Sequence, residues 1–346
     1  MKAALFHEFG GPEVLRVEEV ERPRPGPGEV LIEVRAAALN HLDLWVRRGL
    51  PIETTMPHIG GSDVAGVVTE LGAGVDGARV RVGQRVVVDP SISCGECEWC
   101  RKGEEPLCVQ YRILGEHTQG GFAEYVVAPA RNLYEIPDDY EFERAAAAPL
   151  AFLTAWRALV TKGRLQRDDL VLVTGASGGV SSAGIQIAKL LGARVYATTS
   201  TPHVERVRAL GADVVYDRTQ VDFSRELWRD TAKRGVDIVL DSVGSATWQA
   251  NMRALARGGR IVVYGATTGH EAQLDLRQVF WKQIEVLGST MASRDEFRQA
   301  MGHVFAGRLE PVVDSVLPLD DARAAHERLE RGEAFGKIVL RPGARR

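Results

Sequence analysis

The four cysteines of this 346-residue chain lie within one short, glycine-containing stretch, with the spacing CxxCxxCx7C. Four thiolates this close in sequence can surround one Zn²⁺ ion as a tetrahedron, and such a shell leaves no position open for a substrate. Two disulfides would use the same residues but are disfavoured in a reducing compartment, and free buried thiols are the remaining possibility. We predict one structural zinc ion per chain. Its ligands would be Cys94, Cys97, Cys100 and Cys108.

A glycine-rich turn separates an apolar run from a helical pattern in the segment LVLVTGASGGVSSAGIQIAKLLGA. A buried strand, a tight glycine turn and a helix form the arrangement in which helix N-terminal amides bind the pyrophosphate of a dinucleotide. The alternative is a turn that needs glycine only for backbone room, but several strand–helix alternations follow here. Ser181 stands where a third glycine is often found. The predicted pyrophosphate-binding residues are Gly175, Ser177, Gly178, Gly179 and Val180.

The residues after the second strand of this region favour NADP over NAD. In an NAD site an Asp or Glu about 20 residues beyond the glycine turn usually binds the ribose 2′-hydroxyl. This chain has TTSTPH there, and no acid appears before Glu205. Without that carboxylate nothing repels a 2′-phosphate, so we expect use of both cofactors with a modest preference for NADPH. Hydroxyl donors and a positive charge would come from Thr199, Ser200, Thr201 and Arg206.

Two kinds of periodicity divide the chain into domains. Up to about residue 130, short apolar runs broken by Gly and Pro are typical of an irregular, barrel-like β domain. From about residue 140, a helical stretch over 141–162 leads into apolar strands that alternate with helices, which predicts a parallel sheet covered on both faces. The terminal strand GKIVL needs a partner, so the tail is expected to return to the first domain. The predicted domains are 1–130 with 291–346, and 131–290.

Charge and hydropathy exclude several classes of protein. The 43 basic and 46 acidic side chains are interspersed and give a net charge of −3, so nucleic acid is not an expected partner. No run approaches the ~18 apolar residues of a membrane span, and the start MKAALFHEFGGPEV lacks a signal-peptide core. We expect a cytoplasmic protein with a small-molecule substrate.

The segments PGPGEVLIEVRAAALN, PHIGGSDVAGVV, GGFAEYVV and GKIVL, together with the cysteine cluster and the glycine turn, resemble the medium-chain dehydrogenase/reductase superfamily. This is the family of zinc alcohol dehydrogenases and quinone reductases. The resemblance covers essentially the whole chain. It implies an α/β protein with a GroES-like catalytic domain, formed by the N-terminal segment and the tail, and a Rossmann domain between them. The cysteine cluster matches the family's structural-zinc lobe.

The same resemblance suggests further contacts. Tyr216 matches a family tyrosine whose hydroxyl reaches the 2′-phosphate, whereas Val204 stands where quinone reductases often carry a lysine. We expect Thr154 to contact the cofactor, and the backbone of Gly265 and Ala266 to meet the nicotinamide carboxamide. The segment IEVLGSTM resembles the family's edge strand that pairs across a dimer, so a homodimer or homotetramer is expected.

The resemblance also locates a second zinc site whose ligands are missing. In zinc alcohol dehydrogenases a Cys, a His and a further Cys, Glu or Asp hold the ion that polarises the alcohol. Those positions match Asn40, Ser62 and the neighbourhood of Leu150, and the hydroxyl of the proton relay matches Leu42. Asn40 followed by Asp43 instead resembles the quinone-reductase branch, which works without a catalytic metal. A displaced metal site is the alternative, with candidate ligands His41, Asp43, His58, Asp63, Glu116 and His117.

These observations predict an NAD(P)H-dependent reductase without catalytic zinc. Its acceptor would be electron-poor, either a quinone or an alkene conjugated to a carbonyl, because the cofactor itself performs the redox step. Asn40 would orient the nicotinamide ribose or a substrate oxygen, and Asp43 would fix the local geometry. Two alternatives are a zinc alcohol dehydrogenase with displaced ligands and a non-catalytic nucleotide-binding protein.

Overall fold

The computed structural model describes residues 1–343, which form two units. The first unit comprises Met1–Leu150, Ala292–Gly307 and the chain from Pro311 onward, and the second comprises Ala151–Met291 with Arg308–Glu310. The sequence predicted the first boundary after residue 130. Residues 131–150 instead belong to the first unit. The reason is a strand at 133–135 that extends the sheet of the first unit.

Most of the regular elements in the first 150 residues are strands, because β-branched and apolar residues alternate there with polar ones. The elements are β1 (Lys2–Phe6), β2 (Arg16–Glu19), β3 (Glu29–Ala38), α1 (His41–Arg48), β4 (His58–Ile59), β5 (Asp63–Leu71), β6 (Arg85–Val88), β7 (Ser91–Ile92), α2 (Glu98–Arg101), β8 (Arg112–Ile113), β9 (Tyr125–Pro129), β10 (Leu133–Glu135) and α3 (Phe142–Ala146). Strand β10 pairs antiparallel with β6, which keeps it in the first unit.

The second unit is a parallel sheet with helices between its strands. Its elements are α4 (Pro149–Trp156), β11 (Leu170–Val173), α5 (Gly179–Leu190), β12 (Arg194–Thr199), α6 (Val204–Ala209), β13 (Val214–Asp217), α7 (Phe223–Asp230), β14 (Val236–Asp241), α8 (Ser245–Ala254), β15 (Leu255–Val263), α9 (Leu276–Lys282) and β16 (Glu285–Gly288). The strand order β13-β12-β11-β14-β15-β16 is that of a doubly wound Rossmann sheet. Ligands of such sheets bind at the carboxyl ends of the strands, near β11 and β14.

The tail adds α10 (Arg294–Phe305), β17 (Val313–Pro318), α11 (Ala322–Glu330) and β18 (Lys337–Arg341). Strand β18 pairs antiparallel with β3, with Val339 opposite Ala38, and parallel with β17. The return of GKIVL to the first domain is therefore confirmed. The apolar face of β18 joins the core of the first unit through Ile338 and Leu340.

Several short turns connect these elements. One-turn helices lie at Pro12–Val14, Glu105–Leu107, Ala130–Asn132, Thr201–His203 and Leu319–Asp321. The helical stretch predicted over 141–162 is divided into α3, α4 and a π-helical turn at Arg157–Lys162, because the chain leaves the helix before Pro149. Within residues 1–343, no helix has the length and apolarity that a membrane crossing requires.

Candidate functional site

The four cysteines converge as their spacing predicts. Their sulfur atoms all lie within 4.8 Å of one another. Neighbouring pairs are 3.5–3.8 Å apart, for example Cys97 to Cys100 at 3.5 Å and Cys94 to Cys100 at 3.8 Å. Bonds of about 2.3 Å to one tetrahedral ion place its sulfur ligands roughly 3.8 Å apart. All four are free thiols, so this geometry fits zinc and not the two disulfides.

Backbone amides of the cysteine loop donate to the sulfur atoms. The N–H groups of Glu96 and Cys97 lie 3.4 and 3.3 Å from the Cys94 sulfur, and that of Gln110 lies 3.4 Å from the Cys108 sulfur. Such hydrogen bonds stabilise the thiolate form, which is the form that binds a metal. The loop therefore stabilises the metal-binding form of the thiols. An ion bound by all four would cross-link the loop and would have no open position for a substrate.

The glycine turn lies between β11 and α5, at the carboxyl end of the central strand. Gly175 has a φ of +60°, in the left-handed region that other residues adopt only with strain. Gly178 is the N-cap residue of α5 and brings no side chain to cap the first-turn amides. Ser177, Gly179 and Val180 lie in the same turn, as predicted. The amides of this helix start are thus available to a pyrophosphate.

Ser181, which occupies the position of the third glycine, forms two hydrogen bonds through its side chain. Its hydroxyl donates to the Thr174 carbonyl at 2.9 Å and lies 2.8 Å from the Tyr264 hydroxyl. The first bond ties α5 to β11, and the second ties α5 to the end of β15. Gly265 and Ala266 follow directly after Tyr264, so the segment predicted to meet the carboxamide lies at the same end of the sheet as the glycine turn.

A buried carboxylate organises this end of the sheet. Asp241, at the end of β14, accepts hydrogen bonds from the Thr174 hydroxyl at 2.6 Å and from the Gly244 amide at 3.1 Å. The side chains of Thr247 and Asn251 on α8 also donate to it, at 3.2 and 3.0 Å. Because four donors satisfy the charge, Asp241 fixes the loop after β14 against β11.

Two predicted cofactor contacts are buried hydroxyls that lack a partner in the described part of the chain. Thr154 on α4 is 5% exposed and Thr199 at the end of β12 is 2% exposed, and neither hydroxyl oxygen is hydrogen-bonded. A buried hydroxyl without a partner is unfavourable, which a bound polar ligand would relieve. Both residues therefore fit a cofactor. Ser200, which follows, is half-buried, and Arg206 on α6 is exposed.

The hydroxyl of Tyr216, which we expected to contact the 2′-phosphate, is not free. The Tyr216 hydroxyl donates to Asp230 on α7 at 2.7 Å, so it is already engaged. A carboxylate that the sequence did not place there lies nearby. Asp217 pairs in register with Thr199 and accepts a hydrogen bond from the Thr201 hydroxyl at 2.5 Å. Hydrogen bonds from Thr201 and Thr219 lower the pKa of Asp217, so it is charged at neutral pH.

In the first unit, the predicted catalytic pair belongs to a buried polar cluster. Asn40 is the N-cap of α1, and Asp43 completes a capping box by accepting the Asn40 amide at 2.7 Å. The other carboxylate oxygen of Asp43 accepts the Gly61 amide at 3.0 Å. Asp43 therefore fixes the local geometry, as predicted. Burial raises its pKa to about 6, against the opposing effect of the Asn40 and Gly61 hydrogen bonds.

The Asn40 side chain is held by an ion pair that the sequence did not predict. Its amide group donates to Asp63 at 3.0 Å, and its oxygen accepts from the ammonium group of Lys337 on β18. Lys337 also bonds Asp63 at 2.8 Å. The second oxygen of Asp63 accepts the Leu150 amide at 2.8 Å. Asn40 is thus occupied within this cluster, and its contact with a ribose or substrate oxygen stays a prediction.

The candidates for a displaced metal site do not converge. Among residues 1–343, the His, Cys, Asp and Glu side chains that gather closely enough to hold one ion are those of the cysteine cluster. Ser62 is fully buried, but its neighbours do not form a ligand set around its hydroxyl. The structure does not bring together the six side chains that the sequence offered as ligands of a displaced metal. They are His41, Asp43, His58, Asp63, Glu116 and His117.

Comparison with known proteins identifies the family. A family model for the alcohol dehydrogenase GroES-like domain matches residues 26–138, and one for zinc-binding dehydrogenase matches residues 179–306. The chain is 33% identical to the NAD-dependent alcohol dehydrogenase of Sulfolobus acidocaldarius, over 99% of both chains. It belongs to the medium-chain dehydrogenase/reductase superfamily.

Other members of the superfamily are named for different reactions. The quinone oxidoreductase of Homo sapiens is 30% identical, over 98% of this chain and 97% of that protein. The acryloyl-coenzyme A reductase of Metallosphaera sedula is 32% identical, over 98% and 99%. A crystal structure of an NAD-dependent alcohol dehydrogenase has a TM-score of 0.95 and 46% identity, covering 99% of this chain and all of that one. This medium-chain dehydrogenase/reductase is therefore an NAD(P)-dependent oxidoreductase, and the non-catalytic alternative loses its support.

Three residues of the candidate sites escaped the sequence analysis. Lys337 lies in the GKIVL segment, which was interpreted only as a strand. Asp217 lies on the strand next to the one searched for an acid. Asp241 ends the apolar segment VDIVLD, where an acid after a buried strand was a usable signal.

Proposed function

We propose that this medium-chain dehydrogenase/reductase is an NAD(P)H-dependent reductase of electron-poor acceptors that works without a catalytic zinc. The observation that carries the proposal is the Lys337 ammonium group bonded to the Asn40 oxygen and to Asp63. Asn40 stands at the position of the family's cysteine ligand, and its oxygen, the atom that could bind a metal, already accepts from a cation. A divalent ion bound to this oxygen would have to displace the ammonium group.

A site without a Lewis acid would restrict the acceptors that the enzyme can reduce. An unactivated alcohol needs a metal or a strong base to release its proton, whereas a quinone or an alkene conjugated to a carbonyl accepts hydride directly. Relatives named quinone oxidoreductase and acryloyl-coenzyme A reductase support this class of acceptor. When bound, the reduced nicotinamide supplies the hydride. The chain's part is to bind the pyrophosphate with the α5 amides and to hold Gly265 and Ala266 through the Tyr264–Ser181 bond.

The first test is removal of exchangeable metal. Treatment with a chelator that leaves the cysteine-bound ion in place should not abolish NADPH oxidation with 1,4-benzoquinone or cyclohex-2-enone, because no open-site metal takes part. A zinc alcohol dehydrogenase treated in parallel should lose activity and serves as the positive control. Loss of turnover that Zn²⁺ restores, while the cysteine-bound ion stays in place, would contradict the proposal.

The second candidate is an alcohol dehydrogenase with a displaced metal. It is favoured by the name of the 46% identical solved structure and of the Sulfolobus relative. Metal analysis distinguishes the two candidates, because two zinc ions per chain and oxidation of primary alcohols with NAD⁺ would support the second. One zinc ion per chain and no alcohol oxidation would support the first.

For the cofactor, we propose use of both NADH and NADPH with a modest preference for NADPH that Asp217 limits. No carboxylate lies on the end of β12 itself, and Arg206 brings a positive charge nearby on α6. The ionised Asp217 opposes a 2′-phosphate from the neighbouring strand.

Replacing Asp217 with asparagine should therefore strengthen NADPH binding relative to NADH, by roughly three- to tenfold, since it removes a like charge. Dissociation constants of both cofactors, measured side by side by fluorescence titration, check this. Asp138→Asn, an exposed acid in the first unit, should change neither value. A wild-type preference for NADH of about tenfold, with no response to Asp217→Asn, would show that the interpretation of this region is wrong.

We also propose that the chain forms a homodimer or homotetramer through the edge of the second unit. Strand β16 pairs with β15 and ends the described sheet. Large apolar side chains beside it are exposed, among them Leu276, Phe280 and Trp281 on α9 and Val286 on β16. An exposed strand edge with apolar neighbours is typical of an interface.

A further inference from the structure

A basic side chain from outside the cysteine loop, that of Arg131, reaches into it. Arg131 lies in the one-turn helix Ala130–Asn132, which follows β9. Its guanidinium group donates to the carbonyl oxygen of Ser93, the residue directly before Cys94. Ser93 itself is 4% exposed, so the backbone that Arg131 binds is buried. Arg131 therefore contacts the loop where the chain enters the first of the four cysteines.

The peptide group that Arg131 binds also donates to a cysteine sulfur. The carbonyl of Ser93 and the amide of Cys94 belong to the same planar peptide unit. That amide lies 3.4 Å from the Cys108 sulfur. A donor at the carbonyl oxygen polarises the peptide and strengthens the hydrogen bond that its amide forms. The charge of Arg131 thus acts on the Cys108 sulfur through one intervening group.

Gly95 leaves the space that the guanidinium group occupies. Its φ is +84°, and a Cβ atom there would lie 2.9 Å from Nη1 of Arg131. Arg131 therefore touches the residues on both sides of Cys94. Loss of its side chain would release the backbone before and after a predicted zinc ligand.

The next residue fixes the position of Arg131 relative to the loop. Asn132 is 2% exposed, and its side-chain amide donates to the carbonyls of Asp89 and Ser91 at 2.8 and 2.7 Å. Ser91 begins β7, the strand that leads into the cysteine loop. The one-turn helix is thus bound to the segment that precedes the cysteines, which directs Arg131 at Ser93.

The charge of the loop complements a guanidinium group. Between Cys94 and Cys108 the sequence has four acids and two bases, which are Glu96, Glu98, Glu104 and Glu105, and Arg101 and Lys102. A zinc ion held by four thiolates adds negative charge, because four thiolates outweigh one divalent ion. Among the residues that the structure describes, Arg131 binds a carbonyl and forms no ion pair. Its charge is therefore available to the metal-bound loop.

We infer that Arg131 is a positioning residue of the zinc site. It stabilises the metal-bound loop by holding the Ser93–Cys94 peptide toward the Cys108 thiolate and by offsetting the negative charge of the cluster. The inference rests on the structural zinc that we predict. It concerns a side chain that is not itself a metal ligand and that the cysteine spacing does not reveal.

Replacing Arg131 with methionine removes the charge and the donors and should weaken zinc binding by about tenfold. This is the lower end of the loss expected when a residue that supports metal ligands is removed, because Arg131 is exposed to water. Arg131→Lys keeps the charge without the planar group, so its affinity should lie between those of Arg131→Met and wild type. Competition with a chromophoric chelator of known zinc affinity measures the dissociation constants. Arg16→Met, at an exposed arginine of β2, is the matched control and should bind zinc as wild type does.

Cobalt substitution adds a readout that a loss of packing alone would not change. In the full-length protein loaded with Co²⁺, the thiolate-to-metal charge-transfer band reports the energy of the sulfur electrons, which hydrogen bonds to the sulfur lower. Arg131→Met should move this band to lower energy, because the Cys94 amide then donates more weakly to Cys108. Arg16→Met should leave the band in place.

The outcomes separate the inference from the zinc assignment on which it rests. A wild-type chain that binds neither zinc nor cobalt would contradict the zinc site itself. If the wild type binds the ion and Arg131→Met shows the same affinity and the same band, the inference about Arg131 is wrong. Should Arg131→Met not fold by far-UV circular dichroism, Arg131→Gln, which also removes the charge, decides the question by the same two measurements.

Discussion

Replacing Lys337 with methionine should lower the free energy of unfolding by about 3–5 kcal/mol, because it leaves Asp63 as a buried charge without a counter-ion. The side chains of Lys337 and Asp63 are 4% and 0% exposed, and their charged atoms are 2.8 Å apart. The Leu150 amide and the Asn40 side chain also bind Asp63, but neutral donors do not replace a positive charge in the interior. Urea denaturation, with the midpoint and slope compared, measures the loss.

A control substitution in an exposed ion pair separates the effect of burial from the effect of removing a charge. Lys2 forms an ion pair with Asp320 at 3.4 Å, but these side chains are 50% and 48% exposed. Lys2→Met should therefore change the free energy of unfolding by less than about 1 kcal/mol. Adding Asp63→Asn to Lys337→Met removes the orphaned charge and should recover part of the loss. Equal effects of Lys337→Met and Lys2→Met would show that the buried pair is not needed for stability.

The Lys337 cluster also connects parts of the chain that are far apart in sequence. Lys337 begins β18, Asn40 precedes α1, and Asp63 begins β5. The ammonium group of Lys337 thus joins its own strand to the ends of two other elements, at the position that matches the family's cysteine ligand. In the reductase that we propose, the ion pair takes the structural place of a cation. We therefore expect loss of Lys337 to disturb Asn40 and Asp43 before it affects the nucleotide-binding turn, which belongs to the other unit.

The features that the sequence predicted correctly are those encoded locally. The four cysteines that converge lie within one loop, and the glycine turn, its strand and its helix are contiguous, so spacing and periodicity were enough to place them. The return of the terminal strand followed from its need for a partner. The boundary after residue 130 was wrong because pairing of β10 with β6 depends on a partner more than 40 residues away, which local pattern does not show.

The cluster of Asn40, Asp43, Asp63 and Lys337 could not be predicted in the same way. Asn40 and Asp43 were found by resemblance, but Lys337 lies 297 residues from Asn40, and only the register of β18 against β3 brings them together. Asp217 was missed because it reaches the end of β12 from the next strand. The buried state of Glu116 depends on the close packing of Gly115 against Gly61, and a lone acid in a polar loop gives no sign of it.

Replacing Cys97 with serine should release the structural zinc that we predict and destabilise the first unit. The Cys97 sulfur lies 3.5 Å from that of Cys100, and the Cys97 amide donates to the Cys94 sulfur, so the change removes one of four ligands from a closed shell. Structural zinc contributes directly to folding free energy, about 10–16 kcal/mol in isolated zinc-finger peptides, and a cross-link confined to one loop should contribute a smaller share.

We expect one zinc ion per wild-type chain by elemental analysis, close to none in Cys97→Ser, and a clear fall in Tm, because the loop depends on the ion as a cross-link. Glu96→Gln changes an exposed residue of the same loop and should keep both the zinc and the Tm. NADPH binding should survive in Cys97→Ser at low temperature, since the glycine turn belongs to the other unit. A wild-type protein that holds no zinc yet unfolds at the same temperature as the zinc-loaded protein would contradict the assignment, because the thiols would then be stable without a metal.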